Sequence, residues 1–429
     1  MEEFPNGEEL EERLEALREE RDRYFQRQPR GSSKERDQQI AAKLHSLYQQ
    51  LAQIKAPERT NFAARGYRNL ALGKVLNAGQ DFNPIALEHL ERAVKLNPRS
   101  WEAYLELGLA MEKAEGEPSS HEDAAECFRT ALAKERNKRT LHQMAMSFRQ
   151  KGGQLAEKDA FESRNCISES LNLAKEAAQL APDDTNVQYS LGNAYLAYFF
   201  ACAQQKPEVM GLCIQAYRKA IKLGRQRFNT DLHHNLGQAL IYEQKYGEAL
   251  EALQSSLALD PEFRQCAQVL HSLQTFLRTF TTAIRARPKL TAKPLPPSHC
   301  PEKLEQRTMK ELAEGANAGS VLAGRVISLV FNPLGIPYSF VMVDAEGGCF
   351  GVGVYNFHPR FSLSVGASVS IPQPFLLRAK FKLQGKEEEL ECIRVPSPQL
   401  LVVDGQKLGP STEALTEANF KPQDSTLIA

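Results

Sequence analysis

Two changes of pattern along the chain predict an α+β multidomain protein, an all-α solenoid of five divergent helical repeats with a capping helix, followed by a small β-barrel. Between residue 61 and about 286, small residues recur where one amphipathic helix would cross another, and prolines recur where the second helix of a pair would stop. Between about 319 and 406, short runs rich in β-branched and aromatic residues alternate and are separated by glycine turns. A helical period and a strand period cannot share one segment, so the switch marks a boundary. The expected organisation is a helical hairpin over 1–60, a solenoid over 61–286, a Pro-rich linker over 287–318, a barrel over 319–406 and a flexible tail over 407–429.

In the first segment Ile40, Leu44, Leu47, Leu51 and Ile54 fall on one helical face, and Leu10, Leu14, Leu17 and Tyr24 form a second, charge-dense pattern. Gly31-Ser32-Ser33 breaks the two apart, giving a hairpin that either docks onto the solenoid or stands free as a coiled-coil arm. Docking is favoured, because an isolated hairpin of this length has little to bury.

The clearest repeat has Leu236-Gly237, Tyr246-Gly247, Ala249, Leu253 and Pro261. Small residues at Gly237 and Ala249 allow two helices to cross closely, and Pro261 ends the second because it cannot continue the hydrogen-bond ladder. This resembles the tetratricopeptide repeat. Related copies carry Gly73, Ala86, Leu90, Ala93 and Pro98, then Leu107-Gly108, Ala124, Phe128 and Ala131, then Met144-Ala145, Ala174, Ala177 and Pro182, then Leu191-Gly192, Tyr195, Tyr217 and Ala220. Insertions between paired helices predict loops on one rim. Gln265 to Ile284, with Leu270, Leu273, Phe276, Leu277 and Phe280, reads as the helix that closes the last apolar face. Pro288, Pro294, Pro296, Pro297 and Pro301 then mark the linker.

In the last segment Val321–Val330, Phe340–Val343, Phe350–Tyr355, Val369–Ile371 and Leu400–Val403 read as strands of a closed or nearly closed barrel able to fold alone. The stretches Ile336–Tyr355, Val365–Pro372 and Leu400–Gly405 resemble the C-terminal OB fold of the tetratricopeptide-repeat protein 5 (Strap) family, and with the repeats the resemblance covers nearly the whole chain.

Composition narrows the function. Lys+Arg 53 balance Asp+Glu 53, so a general polyanion binder is not expected. The barrel holds seven basic and seven acidic residues between 319 and 405, so direct DNA binding is not expected, and Phe331, Tyr338, Phe340, Phe350, Tyr355 and Phe357 read as core rather than as a base-stacking platform. Gly347-Gly348, Gly351 and Gly353 read as hairpin turns and crowded barrel interior. The most apolar run, Leu191 to Ala203, is too short for a bilayer, and no membrane contact is expected. The eight cysteines form no metal-ligand spacing. No nucleotide-binding, zinc or nucleophile motif is present, so the chain is expected to be no enzyme and to need no cofactor. Two basic clusters, Lys134, Arg136, Lys138 and Arg139, and Arg218, Lys219, Lys222, Arg225 and Arg227, read as solvated helix faces, with ribosomal RNA contact as the alternative.

In such solenoids the first helix of each pair lines the concave face. Steps of three, four and three around the small residue place Glu102, Leu105, Leu109 and Glu112 on a stripe, then Arg139, His142, Met146 and Arg149, then Asn186, Tyr189, Asn193 and Leu196, then Asp231, His234, Gln238 and Ile241. A groove with Arg149 on one side, Asp231 on the other and Asn193 free to pair with backbone suits a short extended peptide of mixed charge. Asn186, Tyr189, His234 and Gln238 complete the candidate site. The family resemblance implies more: recognition of the N-terminal Met-Arg-Glu peptide of nascent tubulin at the ribosome, with Arg149 on the peptide's Glu and Asp231 on its Arg, and recruitment of an mRNA-decay factor. It also implies, as an alternative, a nuclear stress-responsive scaffold joining a histone acetyltransferase to transcription factors. A cytoplasmic protein with a nuclear pool is the corresponding expectation.

Overall fold

The computed structural model describes residues 4–28, 31–55, 57–58, 60–114, 118–202, 206–224, 229–286 and 304–412. The prolines from Pro288 to Pro301 and the chain beyond residue 412 lie outside the described residues.

Helix starts follow from capping chemistry. A short polar side chain just before a helix accepts the backbone N–H groups that the first turn leaves without partners. Asn6 and Ser32 do this in capping boxes ahead of α1 (Gly7–Asp22) and α3 (Ser33–Gln53), with the one-turn α2 (Tyr24–Arg27) between them. Five helical pairs follow: α4 (Phe62–Asn77) with α5 (Pro84–Leu96), α6 (Trp101–Glu112) with α7 (Pro118–Lys134), α8 (Lys138–Leu155) with α9 (Ala160–Leu180), α10 (Thr185–Cys202) with α11 (Pro207–Lys222), and α12 (Thr230–Tyr242) with α13 (Tyr246–Leu259). The last helix is α14 (Arg264–Arg285).

The close crossings lie where the small residues stand. A Cβ on Gly192 would fall 2.5 Å from the Tyr217 ring, so this pair packs only with glycine there. In the third pair the extra residues lengthen both helices instead of forming a rim loop. A second close crossing appears at Gly152 against Ile167, which the repeat pattern around Ala145 did not mark.

The N-terminal helices dock. Leu10, Leu14, Leu44, Leu47 and Leu51 share a core with Ala71, Leu72 and Val75 of α4. α2 reaches the far end of the solenoid, where Tyr24 and Phe25 are buried and α2 packs on α13. Just beyond, the Ser33 N–H donates to Glu262 at 2.9 Å, and Arg36 pairs with Asp260 at 3.4 Å. The first two helices therefore run like a chord from the first repeat to the last.

The C-terminal strands are β1 (Glu305–Arg307), β2 (Gly315–Ala316), β3 (Ser320–Val330), β4 (Tyr338–Asp344), β5 (Cys349–Val354), β6 (Ser368–Pro372), β7 (Phe375–Leu383), β8 (Lys386–Val395), β9 (Val402–Val403) and β10 (Gln406–Lys407), in the order β10-β9-β6-β3-β4-β5-β8-β7-β2. Because β2 runs on into β3, the sheet curls back on itself. Two boundaries need correction. The stretch 287–318 read as linker already contains β1, which pairs parallel with Ser320–Leu322, and β2, which pairs with β7. The segment read as tail is ordered through Thr412, whose carbonyl accepts the His358 N–H at 2.8 Å.

The barrel is not independent of the solenoid. Along its strands one set of alternate side chains, including Leu322, Val326, Phe340, Met342 and Ile393, fills the barrel. The other set, with Ile327, Val330, Val341, Leu390 and Cys392, joins the core that holds Phe276, Leu277 and Phe280 of α14. Cutting the barrel away would therefore expose this second apolar face, a cost that the expectation of a free-standing barrel did not include. The Tyr242 carbonyl at the end of α12 accepts from the Tyr355 hydroxyl at 3.0 Å and from Arg394 at 2.8 Å, and the Arg394 guanidinium lies 4.0 Å above the Tyr355 ring centre.

Gly351, read as a turn or barrel-interior residue, marks this seam. A Cβ there would come within 2.4 Å of Phe280, so β5 needs glycine for α14 to seat. Gly351→Val should cost about 1–3 kcal/mol by overpacking. Urea melts read by far-UV dichroism should show it as a lower midpoint; a wild-type midpoint would mean that the seam yields without cost.

Candidate functional site

Arg149 stands in the second half of α8 and is buried there. It is 4% exposed, and among the described residues no carboxylate or hydrogen-bond acceptor bonds its guanidinium. Burial, the main influence, lowers its affinity for its proton, while the Tyr189 and Tyr217 hydroxyls stand close enough to oppose this. Buried arginines ordinarily sit in ion pairs, because an isolated charge out of water costs several kcal/mol. This burial excludes a solvated surface arginine.

Asn193 is the hub beneath it. Its Oδ1 accepts from the Tyr217 hydroxyl at 2.7 Å and from Asn235 Nδ2 at 3.1 Å, and its amide lies beside the Tyr189 hydroxyl. Its acceptor is therefore already engaged by protein donors, so any pairing of Asn193 with a peptide backbone falls to its amide N–H groups. Its work is to hold Tyr189 and Tyr217 around Arg149. Tyr189 connects the two charges: burial pushes its phenol up to about 12, with Asp231 raising it further and the Asn193 amide and Arg149 pulling it down.

On α12, Asp231 is exposed to solvent and has no ion-pair partner among the described residues. Its carboxyl is nonetheless held above the usual range, first by crowding from neighbouring helices and then by Asp260 and Asp22, with Arg21 opposing. One turn on, His234 is 2% exposed, its ring 5.0 Å from Phe263, with Nε2 3.0 Å from Gln238 Nε2 and a buried Nδ1 that lacks a partner. Burial lowers its pKa to about 4, so the ring is neutral near pH 7. His142, beside Arg149, is likewise held near 4 by burial, with Arg149 and Arg139 adding to the effect, and its buried Nδ1 also has no partner. Asn186 stays exposed at the rim, in the first turn of α10.

The structure thus brings Arg149, Tyr189, Asn193, Asp231, His234 and Gln238 together and adds Tyr217, which the repeat pattern assigned to packing, and Asn235, which it did not mark. The other half of the stripe differs. Arg139 bonds Glu102 at 3.0 Å and Glu106 at 2.9 Å, and Lys74 bonds Glu102 at 2.8 Å and Glu11 of α1 at 2.5 Å. Leu105 is buried in the core. The first repeats are therefore occupied by α1 and their charges are satisfied, whereas Arg149 and Asp231 remain without ion partners.

Comparison with known proteins places this geometry. The family model described as tetratricopeptide repeat protein 5 OB fold domain matches residues 303–417, and tetratricopeptide repeat models match 70–137 and 230–263. The chain is 30% identical to tetratricopeptide repeat protein 5 of Homo sapiens over 436 aligned residues, covering 96% of both chains. The chain belongs to the tetratricopeptide repeat protein 5 family. The relative from Mus musculus is also 30% identical, with 94% of each chain covered. Among solved structures, the Cut9–Hcn1 assembly of the APC/C superposes with a TM-score of 0.43 at 14% identity, covering 66% of this chain and 53% of that one. Family membership makes the solenoid part of a protein-binding adaptor.

Within this family architecture the basic clusters staple neighbouring repeats. Arg136 bonds Glu176 at 2.5 Å, Lys138 bonds Asp184 at 2.7 Å, Lys219 pairs with Asp183 at 3.4 Å, and Arg218 pairs with Glu248. Arg225 and Arg227 lie outside the described residues. No helix among the described residues is long and apolar enough to cross a membrane.

Glu112, at the end of the α6 stripe, accepts from Gln143 at 3.2 Å, and burial raises its carboxyl to about 7. A carboxyl whose folded pKa is raised favours the folded state below its unfolded pKa and loses that contribution as pH rises towards 7. Glu112→Gln keeps the amide contact without the charge, so it should raise stability by about 1–3 kcal/mol at pH 8 and leave it unchanged below pH ~4. Denaturant melts at both pH values check this; an equal effect at both would assign the change to packing.

Proposed function

We propose that the inner groove binds the N-terminal Met-Arg-Glu peptide of nascent tubulin as it leaves the ribosome, and that the chain is a non-enzymatic adaptor recruiting a factor that triggers decay of the translating tubulin mRNA. The observation that carries the reading is Arg149, a buried guanidinium without an acidic partner, with the unpaired Asp231 close enough that both charges act on the Tyr189 hydroxyl. Successive side chains of an extended peptide point to opposite sides. A basic residue followed by an acidic one therefore presents one charge towards α12 and the other towards α8. Asp231 takes the peptide's arginine, and Arg149 takes its glutamate through a two-pronged hydrogen bond. A neutral His142 and His234 leave the charge pattern of the groove to these two residues at physiological pH.

Translating ribosomes displaying a tubulin N-terminus should co-purify the wild-type chain and fail to retain Arg149→Ala. Ribosomes displaying the same nascent chain with its Arg and Glu exchanged should retain neither. Equal recovery on both kinds of ribosome would defeat the reading.

A further inference from the structure

The two unpaired charges lie in the part of the groove that α1 leaves open. α1 enters at the first repeat, where Tyr67 donates to the Pro5 carbonyl at 3.0 Å and Glu11 meets Lys74 at 2.5 Å. Its other end brings Arg21 and Asp22 within electrostatic reach of Asp231. From there α2 is anchored on α13 by the buried Tyr24 and Phe25, and the start of α3 is tied to the turn before α14 through Ser33–Glu262 and Arg36–Asp260. At this same end the buried His234, 2% exposed, holds an Nδ1 without a partner, on the face that carries Asp231 one turn earlier. His234 Nδ1 is thus an unmet polar atom beside the Phe263 ring, close to the Asp231 end of the groove.

Resting on the peptide reading above, we propose that α1 and α2 form the outer wall of the peptide site, so that a seated strap and a bound peptide of mixed charge hold each other in place. The strap fills the groove as far as the Glu102–Arg139 network, which limits the ligand to a short peptide. At the Asp231 end it adds Asp22 to the carboxylates facing the ligand's basic side chain. Asp22 is bonded to Arg21 at 3.1 Å, so a ligand guanidinium competes with Arg21 for it, and Arg21 is freed to solvent.

Coupling between two equilibria is reciprocal, so whatever factor strap seating adds to peptide affinity, peptide binding must add to strap protection. The experiment uses the full chain and a Met-Arg-Glu peptide. Tyr24→Ala with Phe25→Ala, which leaves Arg149 and Asp231 untouched, should weaken binding by ~10-fold or more through faster dissociation. Saturating peptide should slow hydrogen exchange of the α1 and α2 amides in the wild type by a similar factor. Arg36→Ala is the milder variant should the double variant fail to fold; it loses the tie to Asp260 and should weaken binding by ~3-fold or more. Wild-type affinity in a folded variant whose α1 amides exchange faster overturns the inference, as does unchanged exchange in the peptide-saturated wild type. If Arg149→Ala abolishes binding while the strap variants retain it, only the wall falls. If the wild type binds no such peptide, the peptide reading falls and takes the wall with it.

Discussion

Arg149→Ala should weaken binding of a Met-Arg-Glu peptide by about 2–4 kcal/mol, because the ligand's carboxylate would then be desolvated opposite nothing. Its effect on folding is the more telling half. At 4% exposure Arg149 is a buried residue, and truncating a buried side chain usually costs stability. Here the truncated group carries an unpaired charge, whose removal takes away a desolvation cost of several kcal/mol. The two effects oppose each other. Arg149→Met separates them: it keeps the stem's packing and removes the charge, so it should melt no lower than the wild type while binding as poorly as Arg149→Ala. Arg149→Lys keeps a charge but loses the planar fork, and should lose ~10-fold or more in affinity. Thermal melts and fluorescent-peptide titrations of the full chain decide the matter. A methionine variant that is clearly destabilised would mean that Arg149 is held by partners in the apo protein and is not waiting for one.

Much of this architecture is legible in the residues because the pattern and the physics have the same period. Gly73, Gly108, Gly192 and Gly237 each stand where a helix crosses its partner, and Asn, Ser or Asp stands ahead of most of the helices. The groove stripe was legible for the same reason, since steps of three and four put Arg149, Asn193 and Asp231 on one face whatever they touch. What they touch was not legible. Nothing in the local sequence tells that the Asn193 acceptor is taken by Tyr217 and Asn235, or that Glu11, more than sixty residues upstream, meets Lys74 while Arg149 meets no acid. Charge pairing across a solenoid depends on which helices the curvature brings together. The docking of the barrel did leave a trace: Val321–Val330 is apolar at nearly every position instead of alternating, which is the mark of a strand buried on both faces. Gly351 and Gly353 belong to the same signal, being the places where α14 and the α12–α13 turn press on β5.

Asp231→Arg should abolish measurable binding of the Met-Arg-Glu peptide, because it both removes the acceptor for the ligand's guanidinium and sets two like charges against each other. Alanine at this position should cost about 2–4 kcal/mol, since it leaves the ligand's charge without a counterion. The reversed variant goes further, and it should partly recover affinity for a peptide whose second residue is glutamate. The solution pH supplies an independent check. Free Asp231 holds its proton more firmly than an ordinary aspartate, with crowding as the main cause and Asp260 and Asp22 adding to it. A bound guanidinium favours the ionised carboxylate and lowers that pKa, so binding releases a proton. Affinity should therefore rise with pH through the raised range of the free carboxyl and flatten above it. In Asp231→Asn the slope should vanish along with most of the affinity. Calorimetric titrations in buffers of different ionisation heat measure the proton directly. If the wild type shows the same slope as Asp231→Asn, another group senses pH and the ligand's basic side chain does not lie on Asp231. If Asp231→Arg binds the peptide with glutamate at its second position no better than the native one, charge at this position does not select the ligand.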